Sequence, residues 1–113
     1  MKIEARVSAG VAILDLNGRL VLDDGERLLR QRVDELIQQG HRHILVNFAN
    51  VSELDSTGVG VVVWKYITLH RQGGALKLLS LTPRCRRILA TTKLLSVLAV
   101  FDSETEAIDS FRS

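Results

Sequence analysis

Residues 51–64 read VSELDSTGVGVVVW, and they set a carboxylate and two hydroxyls side by side ahead of a pair of glycines: Asp55, Ser56, Thr57, then Gly58 and Gly60. Three chemistries use such a set. A serine next to an acid can be a nucleophile if a general base lies within reach. A serine just before a helix can cap the orphan N–H groups of its first turn. The same serine can also accept a phosphoryl group, whose negative charge is favoured at the positive end of the helix dipole by about 0.3–1 kcal/mol.

The nucleophile reading lacks its partners. The stretch is not G-x-S-x-G and not G-x-x-x-x-G-K-[ST], so neither a nucleophile elbow nor a phosphate loop is present. His41 and His43 fall at the opposite end of the preceding strand, roughly 15 Å away at ~3.3 Å per residue. His70 lies more than three helical turns beyond Ser56. Capping and phosphorylation both remain open. The glycines add a constraint: each costs roughly 1 kcal/mol relative to alanine inside a helix. Two in one turn leave the helix mouth unusually open to an approaching molecule. A phosphate on Ser56 would add about −1.5 to −2 of charge beside Glu53 and Asp55, in the path of anything docked over that open turn.

The elements around the stretch follow from apolar spacing. Ile3, Ala5 and Val7 alternate before Ala9-Gly10, and VAILDLNG follows, which predicts a β-hairpin ending at Asn17-Gly18. Leu29, Val33, Leu36 and Ile37 share one face of a helix that Asp23 or Asp24 can cap and Gly40 can close in a left-handed conformation. HILVNF, residues 43–48, reads as a strand buried on both faces, with a loop from Ala49 to Leu54. The helix opened by the quoted stretch runs about fifteen residues, to near Gly73-Gly74. ALKLLS is the next strand. Thr82-Pro83 starts a helix over Arg84 to Leu89, VLAVF is a short last strand, and Ser103 with Glu106 forms a capping box for a final helix. The order β-β-α-β-α-β-α-β-α implies right-handed crossovers and a largely parallel sheet joined by one antiparallel hairpin.

Composition bounds the setting. The 113 residues, 46% hydrophobic and 25% charged, suit one globular α/β domain over residues 1–113. No apolar run approaches the ~20 residues needed to cross a bilayer, and MKIEARVSAG has no signal core, so a cytoplasmic protein without membrane insertion is expected. A single Cys85 and three scattered histidines leave no zinc set and no internal disulfide. The formal charge of +2 argues against direct nucleic-acid binding. Lys65, Arg71, Lys77, Arg84, Arg86, Arg87 and Lys93 all fall between Ser56 and Phe101, where there is no acid. Solvated faces account for them, and Arg84, Arg86 and Arg87 read as one such helix face. Cys85, though among cations, reads as a packing residue.

LDSTGVGVVVWKY, preceded by HILVNFANV and followed by RQGGALKLLS, resembles the STAS domain of bacterial anti-sigma factor antagonists. Asp55, Ser56, Thr57, Gly58, Val59 and Gly60 match the family pattern D-S-[ST]-G-[LV]-G, and the likeness extends over nearly the whole chain. The resemblance implies a single STAS-like domain: a small mixed sheet with an initial hairpin and about four helices mainly on one side. It implies a non-enzymatic, cofactor-free protein that binds an anti-sigma factor, usually itself a serine kinase. Phosphorylation of the serine after the motif aspartate, here Ser56, would release that partner, with Thr57 a less suitable acceptor and a phosphatase needed for reversal. Partner contact would involve Asp55, Ser56, Thr57, Gly58 and Gly60. The alternative role within the family is a constitutive adaptor subunit of a sensory assembly or transport system, with Ser56 only a cap. Arg19 and Val21 stand where many relatives carry an acidic G-E-L-D segment, and Asn47 where an aspartate is frequent; these positions bear on partner choice.

Two readings stand for Trp64. On a helical projection Val59, Val62, Val63, Tyr66 and His70 cluster inward, while Val61, Trp64 and Thr68 point away. Trp64 is then either an exposed interface anchor in the partner-binding set or is packed against a neighbouring helix.

Overall fold

The computed structural model of the chain describes residues 1–112. One five-stranded sheet runs in the order β1 (Lys2–Ser8), β2 (Val11–Leu20), β3 (His43–Leu54), β4 (Ala75–Leu79), β5 (Val100–Phe101). β1 and β2 are antiparallel, from Lys2 opposite Asn17 to Ser8 opposite Val11. Ala9 and Gly10 both take positive φ in the connecting turn, at 51° and 80°. That is the primed turn whose twist matches the flanking strands. The other pairings are parallel. The expected mixed sheet with its initial hairpin is therefore present.

The helices α1 (Gly25–Gln38), α2 (Ser56–Arg71) and α3 (Pro83–Thr91) cover one face, and the short α4 (Glu104–Asp109) covers part of the other. The larger core joins Leu14, Val46 and Leu78 of the sheet to Leu29 and Val33 of α1, Val62 and Leu69 of α2, and Cys85 and Leu89 of α3. Each fully buried aliphatic side chain contributes about 1.5–3 kcal/mol. Cys85, completely buried, is the packing residue its sequence context suggested. On the opposite face Ile13, Leu45 and Leu79 meet Ala107 and Phe111.

Of three expected helix caps, two form and the third does not. Thr82 caps α3, its Oγ1 accepting from the Cys85 N–H at 3.1 Å. Ser103 accepts from the Glu106 N–H at 3.3 Å and caps α4. Asp24 occupies the cap position of α1, but its carboxylate accepts from the Met1 amino group at 2.9 Å rather than from the helix. Gly40 closes that helix with φ +96°.

Three boundaries differ from expectation. β3 does not end at Phe48; it continues through the expected loop to Leu54, where β2 also continues past Asn17-Gly18. The two strands pair as far as Leu20 opposite Leu54, with register irregularities after Asp15 and after Gly18. β4 pairs only with residues 43–47 of β3, so the second half of β3 projects beyond it as a ribbon shared with β2 alone. Val51 and Leu54 turn inward from that ribbon, which gives it a reason to hold. At the other end VLAVF yields only the two-residue β5. Lys93 breaks the chain with φ 62°, Leu94–Ser96 form a single 3-10 turn, and Leu98 turns into the core. Only Leu78 and Leu79 are paired with the last strand.

Candidate functional site

The β2–β3 ribbon sets the position of the DST triplet. Leu54 is its last residue, Asp55 follows, and Ser56 is the first residue of α2. The cap of this helix is Asp55, not Ser56. Its backbone is extended, at φ −115°, and its Oδ1 accepts from the Gly58 N–H at 3.0 Å and from the Thr57 hydroxyl at 2.6 Å. Its Oδ2 accepts from the Leu22 N–H at 3.0 Å, across from the end of β2. The Thr57 hydroxyl first, and the Leu22 and Gly58 amides after it, hold the Asp55 carboxyl down to about 2 from its ordinary 3.8. Hydrogen bonds to the charged form are the cause, and they outweigh the opposing desolvation of this half-buried carboxylate.

The expected serine cap is thus displaced by one residue. Aspartate outcompetes serine here because its two oxygens satisfy the helix and the β2 exit together, which one hydroxyl cannot do. Ser56 is left exposed, and its hydroxyl has no hydrogen-bond partner among the described residues. Thr57 is half-buried and committed to Asp55.

The glycines divide the work. A Cβ on Gly58 would stand 2.3 Å from the Leu20 carbonyl oxygen and 2.9 Å from Leu20 Cγ, so Gly58 lets the helix close onto the end of β2. A Cβ on Gly60 would meet nothing within 4 Å. Of the two, only Gly60 leaves the first turn open to the outside.

That opening leads into a shallow groove of about 510 Å³ between α1 and α2, floored by Gly60, Val61 and Thr57 and flanked by Leu22 and Trp64. Glu26 and Arg30 of α1, paired at 3.5 Å, form its polar side. Trp64 is 63% and Leu22 58% exposed, among the largest exposed apolar side chains described. Trp64 is therefore not packed on a neighbouring helix. The projection of α2 needs two corrections: Val61 is buried and His70 exposed, stacked on Tyr66 at 6.0 Å. α1 lies along the flank of α2, so Val61 and Lys65 are covered there, and Lys65 reaches Asp34 of α1 at 2.7 Å. Leu20 and Leu22, which shape the site through a carbonyl and an amide, had no side-chain signal in the sequence.

The remaining sequence candidates lie elsewhere. Arg19 pairs with Glu53 at 3.4 Å, and Val21 is buried. Asn47 sits in mid-strand on the α4 face, donating to Asp15 at 2.9 Å. His43 opens β3, at the far end of that strand from Ser56, and His70 lies roughly 21 Å along α2 at 1.5 Å per residue. Arg84 reaches the Ser52 carbonyl at 3.4 Å and Arg86 faces Asp102 at 3.6 Å. No helix among the described residues is long and apolar enough to cross a membrane.

Known proteins resemble this chain in sequence and fold. Over 109 residues the chain is 28% identical to the anti-sigma F factor antagonist of Paenibacillus polymyxa, covering 96% of this chain and 92% of that protein. The anti-sigma factor antagonist SpoIIAA in its unphosphorylated form superposes with a TM-score of 0.83 at 26% identity, covering 98% of this chain and 96% of that one. SpoIIAA of Bacillus in the phosphorylated form gives a TM-score of 0.76 at 27% identity, over 98% of this chain and 100% of that one. The STAS domain family model matches residues 2–107, and the chain belongs to that family.

Proposed function

We infer that this chain is a bacterial anti-sigma factor antagonist acting in the cytoplasm. It docks an anti-sigma factor over the groove beside the start of α2, and phosphorylation of Ser56 ends that contact. The observation that carries this reading is the division of labour at the helix mouth. Asp55 does the capping, so the adjacent Ser56 hydroxyl stands in solvent with no structural task, next in the chain to Thr57, which lines the groove. The names of the relatives support the same partner class.

The mechanism is local. A phosphate on Ser56 sits at the positive end of the α2 dipole, so the fold tolerates it. It brings about −1.5 to −2 of charge beside the Asp55 carboxylate. A partner seated on Leu22, Gly60 and Trp64 would have to desolvate that charge, and it leaves instead. Thr57 is the poorer acceptor because its hydroxyl is half-buried and donated to Asp55. Ser56 has no histidine near it to act as a base, so the partner kinase must supply one. The Ser56 oxygen attacks the γ-phosphorus of ATP held by the kinase, ADP leaves, and the hydroxyl proton passes to the kinase's base; a phosphatase restores the serine by hydrolysis.

The test is to incubate the purified chain with ATP and an anti-sigma factor serine kinase, then map the mass of residues 43–65. A phosphate-sized shift on Ser56, absent from Ser56→Ala, is expected. An unmodified peptide, or modification that persists in Ser56→Ala, would overturn the reading.

A further inference from the structure

β1 is an outer strand of the sheet, and of its seven residues only Ile3 is buried. An edge strand offers a row of backbone donors and acceptors to another strand, and proteins usually guard it with charge, proline or a bulge. β1 contains no proline, and its register with β2 is continuous. Val7 stands on it 60% exposed. The only guards are Lys2, Glu4 and Arg6, which share one face and alternate in sign. Such a guard repels some registers and welcomes others.

A second copy that extends the sheet antiparallel through a twofold axis places side chains of the same face opposite one another. With the axis at Glu4, Glu4 meets its own copy and Lys2 meets the partner's Arg6. With the axis at Arg6, two guanidinium groups face each other. Axes at Ile3 or Val7 leave four of the seven residues of each strand unpaired. With the axis at Ala5, all seven residues pair. Glu4 then meets the partner's Arg6 twice over by symmetry, Ile3 meets the partner's Val7, Lys2 meets the partner's Ser8, and no like charges are opposed.

We propose that β1 is a self-association edge, at which two copies of this chain pair antiparallel about Ala5 to form one continuous sheet. Arg6 is prepared for this. Asp15 and Glu104 already hold its guanidinium through four N–H donors, so one of its five remains to offer without further ordering of the side chain. Glu4 is tied only to exposed Lys2 at 3.4 Å and is free to turn. No residue of β1 lines the α1–α2 groove, so pairing leaves the partner surface available. A strand seam of this length is smaller than the ~1,200 Å² of a stable interface, so the dimer is reversible and concentration-dependent.

Cross-linking reads the register directly. Ala5→Cys stands on the axis and meets its own copy, whereas Val7→Cys lies about 13 Å from its copy, too far for a disulfide. The native Cys85 is buried and does not compete. Under mild oxidation the Ala5→Cys chain should cross-link, the Val7→Cys chain should not, and adding Glu4→Arg to Ala5→Cys should abolish the product. Sedimentation of the unmodified chain should show dimer growing with concentration. Equal cross-linking at both positions, or a monomer at the highest concentration reached, would overturn the proposal.

Discussion

Asp55 carries the helix mouth, and its neighbours can be sorted by what they do for it. Asp55→Ala removes an N-cap and the anchor of the Leu22 amide, and should cost about 1 kcal/mol or more by chemical denaturation. The pH dependence has a definite sign. Because the native carboxyl is held at about 2 against 3.8, its contribution is complete above pH 4 and lost as pH falls through 2. Thr57→Val removes the largest cause of that depression, and the carboxyl should titrate closer to its ordinary value by NMR. The glycines separate cleanly. Gly58→Ala drives a methyl into the Leu20 carbonyl and should destabilise the chain by roughly 1–3 kcal/mol. Gly60→Ala meets nothing and should stabilise α2 by up to about 1 kcal/mol, while its methyl intrudes on the groove and weakens partner binding. At this scale the motif was legible as a set but not in its roles. The cap moved from Ser56 to Asp55 because the decisive partner, the Leu22 amide, lies thirty-three positions away in the chain.

Among elements, period and punctuation carried most of the order. Strand alternation, the Thr82-Pro83 start and the Gly40 stop are local signals, and each appears where its residues indicated. The extension of β3 and the shrinkage of VLAVF were not local. β3 lengthens because β2 continues beside it to Leu54, and β5 is short because only two residues of β4 pair with it. The same cause explains α2, whose flank is covered by a helix that no projection of α2 alone contains. Trp64 escapes that cover. Trp64→Ala should therefore leave stability within about 0.5 kcal/mol by thermal denaturation. It should lower affinity for the anti-sigma factor at least tenfold, as removal of a central aromatic anchor does. Unchanged affinity would remove the groove from the partner surface.

On the scale of the whole molecule, the two ends of the chain are clamped on the face opposite the groove. Arg6 of β1 binds Asp15 of β2 and Glu104 of α4, and both carboxyls are held below their ordinary values chiefly by its guanidinium. Depressed carboxyls stabilise above their unfolded pKa values near 4 and lose that contribution as pH falls through their native ones. Hydrogen exchange should show α4 loosening below pH 4, more so in high salt because the cluster is partly exposed. Arg6→Gln should make that loosening independent of pH in the same range. The clamp sits apart from the helix mouth, so modification at Ser56 need not disturb it. The proposed switch therefore changes a surface and leaves the fold alone. Its most direct test is the affinity of the anti-sigma factor for the chain carrying phosphoserine at position 56, measured beside the unmodified chain. The account predicts a loss of at least a hundredfold, about 2.7 kcal/mol, with superimposable circular dichroism and melting curves. Equal affinity for the two forms would contradict it.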